Sequence, residues 1–599
     1  MMRTMKRSGT SGSRRPAKRT RRAGRPIDVA KPSVCIKLEG TGKQAVETGR
    51  ARMAIASLVF AVCFVTLSLR LVDLTLFQGG AEPTRADRSA GALAGGASVG
   101  RAPIVDRNDV LLAVNLRTAS LSARPHLVPD PAEAATQLAR ILPSPSEDEL
   151  LRRLSSNQRF TWLRRGLTPD QQQAVNSLGI PGLDFDYEER RIYPHGSLAA
   201  HVLGGTDLDN TGIAGVEKWF NDDLMQSASS GGDLTLSLDI NVQHAMRDEL
   251  LRAVEEFEAI GAVGIVLDVQ NGEVLSMVSL PDFDPNISGE AKDDRRFNRA
   301  TLGVYEMGST FKTFTAAMAL DAGTIGMAGG YDATRPLRAD RHLIRDFHAK
   351  RRWLSVPEIY MYSSNIGAAK MAEAVGTEGQ QDFMYRLGML TKPTVELPEV
   401  SAPLLPGQWL QVETLTIAFG HGLSVSPLQL ASGIATIVNG GLAVQSTVIK
   451  RENGQPFAAV PVISERTSDQ MRRLMRLVVE HGTGRRAAAP GYLVGGKTGT
   501  AEKPVDGRYD RDALITSFVA AFPMTAPRYV VLAMIDEPKG NEATGGGAGA
   551  GVTAAPVTGR VIRRIAPLLG VDPVDEEDEA VQQALEIKIN SRDPKVASF

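Results

Sequence analysis

The sequence predicts a mixed α/β protein of the α+β kind. One antiparallel sheet is covered by helices, a smaller segment of strands and short helices precedes it, and an apolar N-terminal helix precedes both. Three observations carry this expectation. Val- and Ile-rich runs stand at both ends of the large C-terminal region, Ala262–Asp268 and Val274–Val278 early and Tyr529–Ile535 late, with helical patterns between; that order suits a single sheet wrapped by helices. Residues 127–180 alternate Pro turns with short helical patterns at Pro131–Ile141 and Ser146–Leu154, as in a smaller domain. Met53–Leu69 is apolar apart from small Ser and Thr residues, and at ~1.5 Å rise per residue such a run reaches about 25 Å.

Taken in order, residues 1–52 are crowded with Arg and Lys, rich in Gly, Ser and Pro, and lack apolar periodicity. That composition predicts a disordered tail. The apolar segment 53–77 follows, interrupted by Arg70 and Asp73. It is long enough to span a bilayer once Arg70 snorkels to the interface, and its basic flank places the tail in the cytoplasm. No small-x-small cleavage site follows it, so an uncleaved single-pass anchor is expected. This accounts for the cationic arm without invoking nucleic acid. Over the 599 residues the formal charge is +0, so no global field toward nucleic acid or membrane arises. The two cysteines, Cys35 and Cys63, lie outside the globular remainder, and no histidine spacing resembles a metal site; no metal or cofactor is expected.

Residues 78–230 begin with a Gly/Ala-rich linker. Arg101–Ala113 then reads as a hairpin, strand, charged turn and second apolar run. Residues 231–570 form the main domain, with a strand at Asp233–Asp239, an amphipathic helix at Asn241–Phe257, a hairpin turn at Gln270-Asn271-Gly272 and a final helix near Thr553–Leu569. Residues 571–599 are an acidic C-terminal tail, with Asp575-Glu576-Glu577-Asp578-Glu579 at its start.

Candidate chemistry starts at Gly308-Ser309-Thr310-Phe311-Lys312, the opening of an apolar helical run. Positions i and i+3 share a helix face, so Ser309 and Lys312 point into one space. A serine hydroxyl attacks only when a base takes its proton, and a lysine serves as that base once burial or a nearby cation lowers its pKa. Helix-start N–H groups can hold an oxyanion. Alone, Ser-x-x-Lys is too common to mean anything. Here Ser363-Ser364-Asn365 and Lys497-Thr498-Gly499-Thr500 follow in order, and the three together are the signature of penicillin-binding proteins and serine β-lactamases. Ser363 has a hydroxyl able to relay a proton, and Asn365 an amide for Lys312 or a substrate backbone. Lys497 in the same cleft would keep Lys312 neutral. The segment Lys497–Thr500 reads as a sheet edge that an extended peptide can join, with Gly499 allowing close approach and Thr498, Thr500 and Lys497 holding a terminal carboxylate. His421, in Phe419-Gly420-His421-Gly422, has no acidic residue placed in sequence to make it part of a triad.

The chain resembles the class B penicillin-binding proteins. Arg101–Ala113 is similar to their R-G-x-I-x-D-R-N-G-x-x-L-A motif, with Ala102 and Asp109 where glycines stand; Arg191–Gly196 and Gly212–Glu217 match R-x-Y-P-x-G and G-x-x-G-x-E; and Met307 replaces a common proline. No E-D-x-x-F-x-x-H type glycosyltransferase motif of class A is present. The resemblance implies the penicillin-binding transpeptidase fold on a non-catalytic, dimerisation-type pedestal. It implies a serine D,D-transpeptidase that acts on the D-Ala-D-Ala end of peptidoglycan stem peptides through an acyl-enzyme on Ser309 and is acylated by β-lactams. It assigns Ser309, Lys312, Ser363, Asn365 and Lys497 to catalysis and Thr498, Gly499 and Thr500 to substrate binding, with the oxyanion on the backbone N–H groups of Ser309 and Thr500. It further implies a bacterial inner-membrane protein with its catalytic domain in the periplasm, a septal role in cell division, an FtsW-type glycosyltransferase and other divisome proteins as partners, and no nucleic acid. Alternatives at this stage are an elongation-specific class B enzyme, an anchored β-lactam receptor, a hydrolytic β-lactamase and a non-catalytic divisome scaffold.

Overall fold

The computed structural model describes residues 100–287, 293–340, 342–452, 457–505 and 508–587, with scattered positions from 60 to 68. Those scattered positions are helical; the remainder of the expected anchor at 53–77 and all of the basic tail lie outside the described residues. Among the described residues no helix is long and apolar enough to cross a membrane.

The first part of the described chain is built on β1 (Ile104–Val105), β2 (Leu111–Ala123), β3 (Thr161–Leu167) and β4 (Leu183–Ile192), with α1 (Pro131–Ile141), α2 (Glu147–Leu154) and α3 (Pro169–Ser177). The helices start where their caps stand: Asp130 accepts from Ala132 and Glu133 N–H, Ser146 caps α2, and Thr168 forms a capping box with Gln171. Strand β2 pairs antiparallel with β1, β3 and β4, and Leu121, Leu138, Leu150 and Leu163 close an apolar cluster under the helices. At the β1–β2 turn Asp109 adopts φ 62°, the left-handed conformation an aspartate tolerates; the glycine expected there is dispensable.

The three sequence motifs of this region converge. Glu217 is buried and accepts from Arg101 Nε at 2.5 Å and Arg191 Nε at 2.7 Å. Arg101 also donates to Asn221 Oδ1 at 2.9 Å, and Arg191 to the Ala102 carbonyl at 2.9 Å. A carboxylate between two guanidinium groups, with further donors on an amide oxygen and a carbonyl, compensates most of the buried charge, while Arg191 Nη2 is left without a partner. Asp106 ties this region to the next, accepting from Asn108 N–H at 2.7 Å, Val110 N–H at 2.9 Å and Ile240 N–H at 3.1 Å.

The main sheet combines β5 (Gly261–Asp268) and β6 (Val274–Leu280) with three later strands, β7 (Gly495–Val505), β8 (Arg508–Phe522) and β9 (Tyr529–Asp536); the spatial order is β7-β8-β9-β5-β6, all antiparallel. Along β9, Val530, Leu532 and Met534 enter one apolar cluster and Val531, Ala533 and Ile535 another. Period-two alternation with both sets apolar marks a sheet covered on both faces. One face carries Ile240–Glu256 and Ala554–Leu568, through Met246, Leu250, Val561 and Ile562. The other carries Lys312–Asp321, Pro427–Val438 and Glu465–His481, through Phe314, Ile434 and Met475. The strand expected at Asp233–Asp239 is shorter. Only Leu234–Thr235 forms one, parallel to β1, because Asp239 turns the chain into a helix by capping Asn241 and Val242 N–H. Part of the acidic tail is also ordered. Residues 571–587 lie against the domain, Leu585 is buried, and Glu576 pairs with Arg476 at 2.7 Å.

Candidate active site

Three segments distant in sequence supply the expected side chains. Gly308–Phe311 is a 3₁₀ turn that runs into the helix Lys312–Asp321. Every residue from Lys312 to Leu320 is buried, so the helix is seated by apolar contact on all sides, and its first turn is held accordingly. The turn itself is clamped by glycines. Gly308 N–H donates to the Gly420 carbonyl at 3.2 Å. Gly420 has φ +87°, and a Cβ there would lie 2.0 Å from the Gly308 oxygen. At Gly499, on strand β7, a Cβ would lie 2.6 Å from the Met307 carbonyl and 2.8 Å from Thr310 Cγ2. From sequence Gly499 is expected to allow the approach of a bound peptide; in the structure its missing side chain makes room for the serine turn.

The second segment follows the helix Val356–Met361. Ser363 has φ 59°, a left-handed backbone unusual for serine, and such strain persists only where surrounding structure imposes it. Ser364 caps the next helix, Asn365–Val375, by accepting from Gly367 N–H at 3.0 Å. Ser364 Oγ donates to Asp346 Oδ2 at 2.8 Å, and Ile366 N–H donates to Asp346 Oδ1 at 2.9 Å. The third segment is β7, which lies at the free edge of the sheet, as the sequence predicts for Lys497–Thr500.

These segments share one hydrogen-bond network. Lys312 Nζ lies 2.9 Å from Ser309 Oγ, 3.0 Å from Ser363 Oγ, 2.7 Å from the Ser363 carbonyl and 2.6 Å from Asn365 Oδ1. Lys497 Nζ lies 3.0 Å from the same Ser363 Oγ and 3.2 Å from the Thr498 carbonyl. Asn365 Nδ2 donates to the Arg345 carbonyl at 2.9 Å, which fixes which way the amide faces. Thr498 Oγ1 is 2.7 Å from Thr483 Oγ1, and Ala550 N–H donates to Thr500 Oγ1 at 3.1 Å. The Gly-rich 545–551 loop therefore borders this edge. Thr500 itself is exposed.

Burial decides the protonation of the two amines. Lys312 is 2% exposed and Lys497 0%. Burial, and after it the charge of Lys497, hold Lys312 well below the ordinary lysine range, against the opposing pull of the Asp346 carboxylate. Burial pushes Lys497 down to about 7. Ser309 and Ser363 are half-buried and stay reachable from the cleft. Among the described residues His421 shares no hydrogen bond with this network; its ring lies against Phe419 and Tyr509, near enough for the Lys312 charge to act on it. Burial lowers its pKa while Glu306 raises it. Sequence reasoning missed Asp346, Thr483 and Gly420. Asp346 lies 18 positions before Ser364 in a loop with no motif, and only the fold brings it there.

The penicillin-binding protein transpeptidase domain family matches residues 262–561, and the penicillin-binding protein dimerisation domain family matches residues 97–229. The probable peptidoglycan D,D-transpeptidase FtsI of Caulobacter vibrioides is 42% identical over 533 residues, 87% of this chain and 89% of that one. The peptidoglycan D,D-transpeptidase FtsI of Escherichia coli K12 is 32% identical over 511 residues, 80% of this chain and 85% of that one. Among solved structures, penicillin-binding protein 3 of Mycobacterium tuberculosis, complexed with aztreonam, shares the fold with a TM-score of 0.63 at 24% identity, covering 80% of this chain and 97% of that one. With two domains matched in order and relatives aligned along most of its length, this chain belongs to the class B penicillin-binding proteins, the family of the FtsI-type transpeptidases.

Proposed function

We propose that this protein is a peptidoglycan D,D-transpeptidase of septal wall synthesis, and that Ser309 is its nucleophile. The observation that carries the reading is the chain Ser309–Lys312–Ser363–Lys497, three contacts of 2.9–3.0 Å. The Ser363 carbonyl and Asn365 Oδ1 can only accept hydrogen bonds. A neutral Lys312 amine gives its two N–H groups to those oxygens and turns its lone pair to the Ser309 hydroxyl. Ser309 Oγ attacks the carbonyl of the penultimate D-alanine while its proton passes to Lys312. The C–N bond breaks, the terminal D-alanine leaves as an amine with a proton delivered through Ser363 Oγ, and an ester on Ser309 remains. The amine of a neighbouring stem then attacks the ester, surrenders a proton to the same relay and restores the serine hydroxyl, which leaves a cross-link. Lys497, Thr498 and Thr500 hold the terminal carboxylate of the donor, and the backbone N–H groups of Ser309 and Thr500 take the oxyanion. A β-lactam carbonyl enters the same path and stops at the ester.

In this reading residues 1–52 are a cytoplasmic tail, 53–77 a single-pass inner-membrane anchor, 78–230 the pedestal, 231–570 the periplasmic transpeptidase domain and 571–599 an acidic C-terminal segment. An FtsW-type glycosyltransferase and other divisome proteins are its partners. Labelling with a fluorescent penicillin tests the nucleophile: the protein takes up the label covalently, and Ser309→Ala takes up none. Equal labelling of both would remove Ser309 from the role. Filamentation on depletion tests the septal assignment, and rounded cells would refute it.

A further inference from the structure

Between the nucleophile helix and Ser363 the chain makes an excursion that the chemistry above does not use. Gly330–Asp332 pairs with Trp353–Ser355 at its base, and Leu337–Ala339 pairs with His342–Ile344 farther out. The segment from 330 to 355 carries seven Lys or Arg residues against three Asp, in a chain that is neutral overall. Arg335, Arg338, Arg345 and Arg351 are exposed, and among the described residues none of the four has a carboxylate within ion-pair distance. Apolar surface stands among these charges: Phe347 is 93% exposed and Trp353 51%. Solvent disfavours large bare apolar groups, and isolated cations of one sign repel. A surface that combines both is organised for a partner.

The lobe is also bonded to the catalytic residues at its root. The Arg345 carbonyl holds the Asn365 amide at 2.9 Å, and Asp346 holds Ser364 Oγ and Ile366 N–H. Lys350 Nζ sits 4.4 Å from the centre of the Tyr362 ring, one residue before Ser363. Whatever the lobe binds is therefore held beside the cleft.

We propose that this basic, aromatic lobe is a docking surface for the glycan strand whose stem peptides are to be joined. The inference rests on the transpeptidase reading and adds the means by which the polymer is retained. Each stem not yet cross-linked ends in a free carboxylate, so such a strand is a polyanion matched in sign to the four exposed arginines. The C–H faces of its sugar rings match the exposed ring surface that Phe347 and Trp353 keep beyond their contacts with His348 and Gly330. The position beside the cleft favours the substrate polymer over an acidic protein or an anionic lipid, neither of which has reason to lie at the catalytic residues.

The test compares the full chain in detergent with a variant carrying Arg335→Gln, Arg338→Gln, Arg351→Gln and Phe347→Ala, each sedimented with insoluble peptidoglycan sacculi. The variant should need about fivefold more sacculi for half-maximal binding, and binding of the parent should weaken as salt is raised. Sacculi whose carboxylates have been converted to neutral amides should bind the parent as poorly as native sacculi bind the variant. Equal sedimentation of the two proteins, or undiminished binding to amidated sacculi, would overturn the proposal and leave the lobe to an acidic protein or lipid. Covalent penicillin labelling of the same samples reports separately on the transpeptidase reading and shows that the variant is folded.

Discussion

Lys312 and Lys497 bring two amines to one hydroxyl, Ser363 Oγ, each at 3.0 Å, with both lysine side chains buried. Two ammonium ions there would be costly, and the site resolves this by disfavouring the charged forms. A base works only when unprotonated, so acylation by penicillin should fall as pH drops through the lowered Lys312 pKa. Removing the Lys497 charge relieves the repulsion that depresses Lys312. In Lys497→Met the acid limb of the residual acylation rate should therefore move to higher pH, and stopped-flow acylation measured against pH would refute the coupling if the limb stayed in place. The same substitution has a stability consequence of opposite sign to its effect on activity. Lys497 titrates at about 7 when folded against 10.5 for an ordinary lysine, so between those values the unfolded chain holds the additional proton. Stability then rises with pH across that window. Lys497→Met should raise the melting temperature at pH 7 and flatten its rise toward pH 10, read by thermal scans at several pH values.

At the scale of elements, the site depends on how closely the serine turn approaches the sheet edge. Gly499 faces the Met307 carbonyl across a gap with no room for a Cβ. Gly499→Ala should push the Ser309 turn away from β7. A misplacement near 1 Å costs roughly 100-fold in a positioned reaction, so the second-order acylation constant should drop by about that factor while the far-ultraviolet circular dichroism is retained. An unchanged constant would show that the turn relaxes elsewhere. The pairing of Ser309 with Lys312 is legible in sequence, since three residues is about one helical turn. The reason for Gly499 is not, because the partner it accommodates is nearly two hundred positions away in the chain.

At the scale of the molecule, Arg101, Arg191 and Glu217 bind the motifs of the pedestal into one buried knot. Removing the carboxylate leaves two guanidinium groups unpaired in a dry interior, which costs about 3–5 kcal/mol. Glu217→Ala should unfold at clearly lower denaturant than the parent, and Glu217→Gln, which keeps two polar atoms, should lose less; a midpoint unchanged by Glu217→Ala would refute this account. In the sequence these motifs are matched one by one to the family; the structure gathers them into one buried network. The sequence did not anticipate that Asp106 would reach the first turn of the helix at Ile240 and so join the two parts of the chain.

By itself the sequence determined most element types, the antiparallel sheet and which three segments to bring forward as candidates for the site. These follow from periodicity, caps and short motifs, which act over a few residues. Only the tertiary structure decided that Lys312 and Lys497 share one hydroxyl, that Asp346 stands behind the Ser363–Asn365 turn, and that Gly420 and Gly499 clamp the Ser309 turn. Those relations join residues tens to hundreds of positions apart, and they come from packing geometry and burial, which no local pattern encodes.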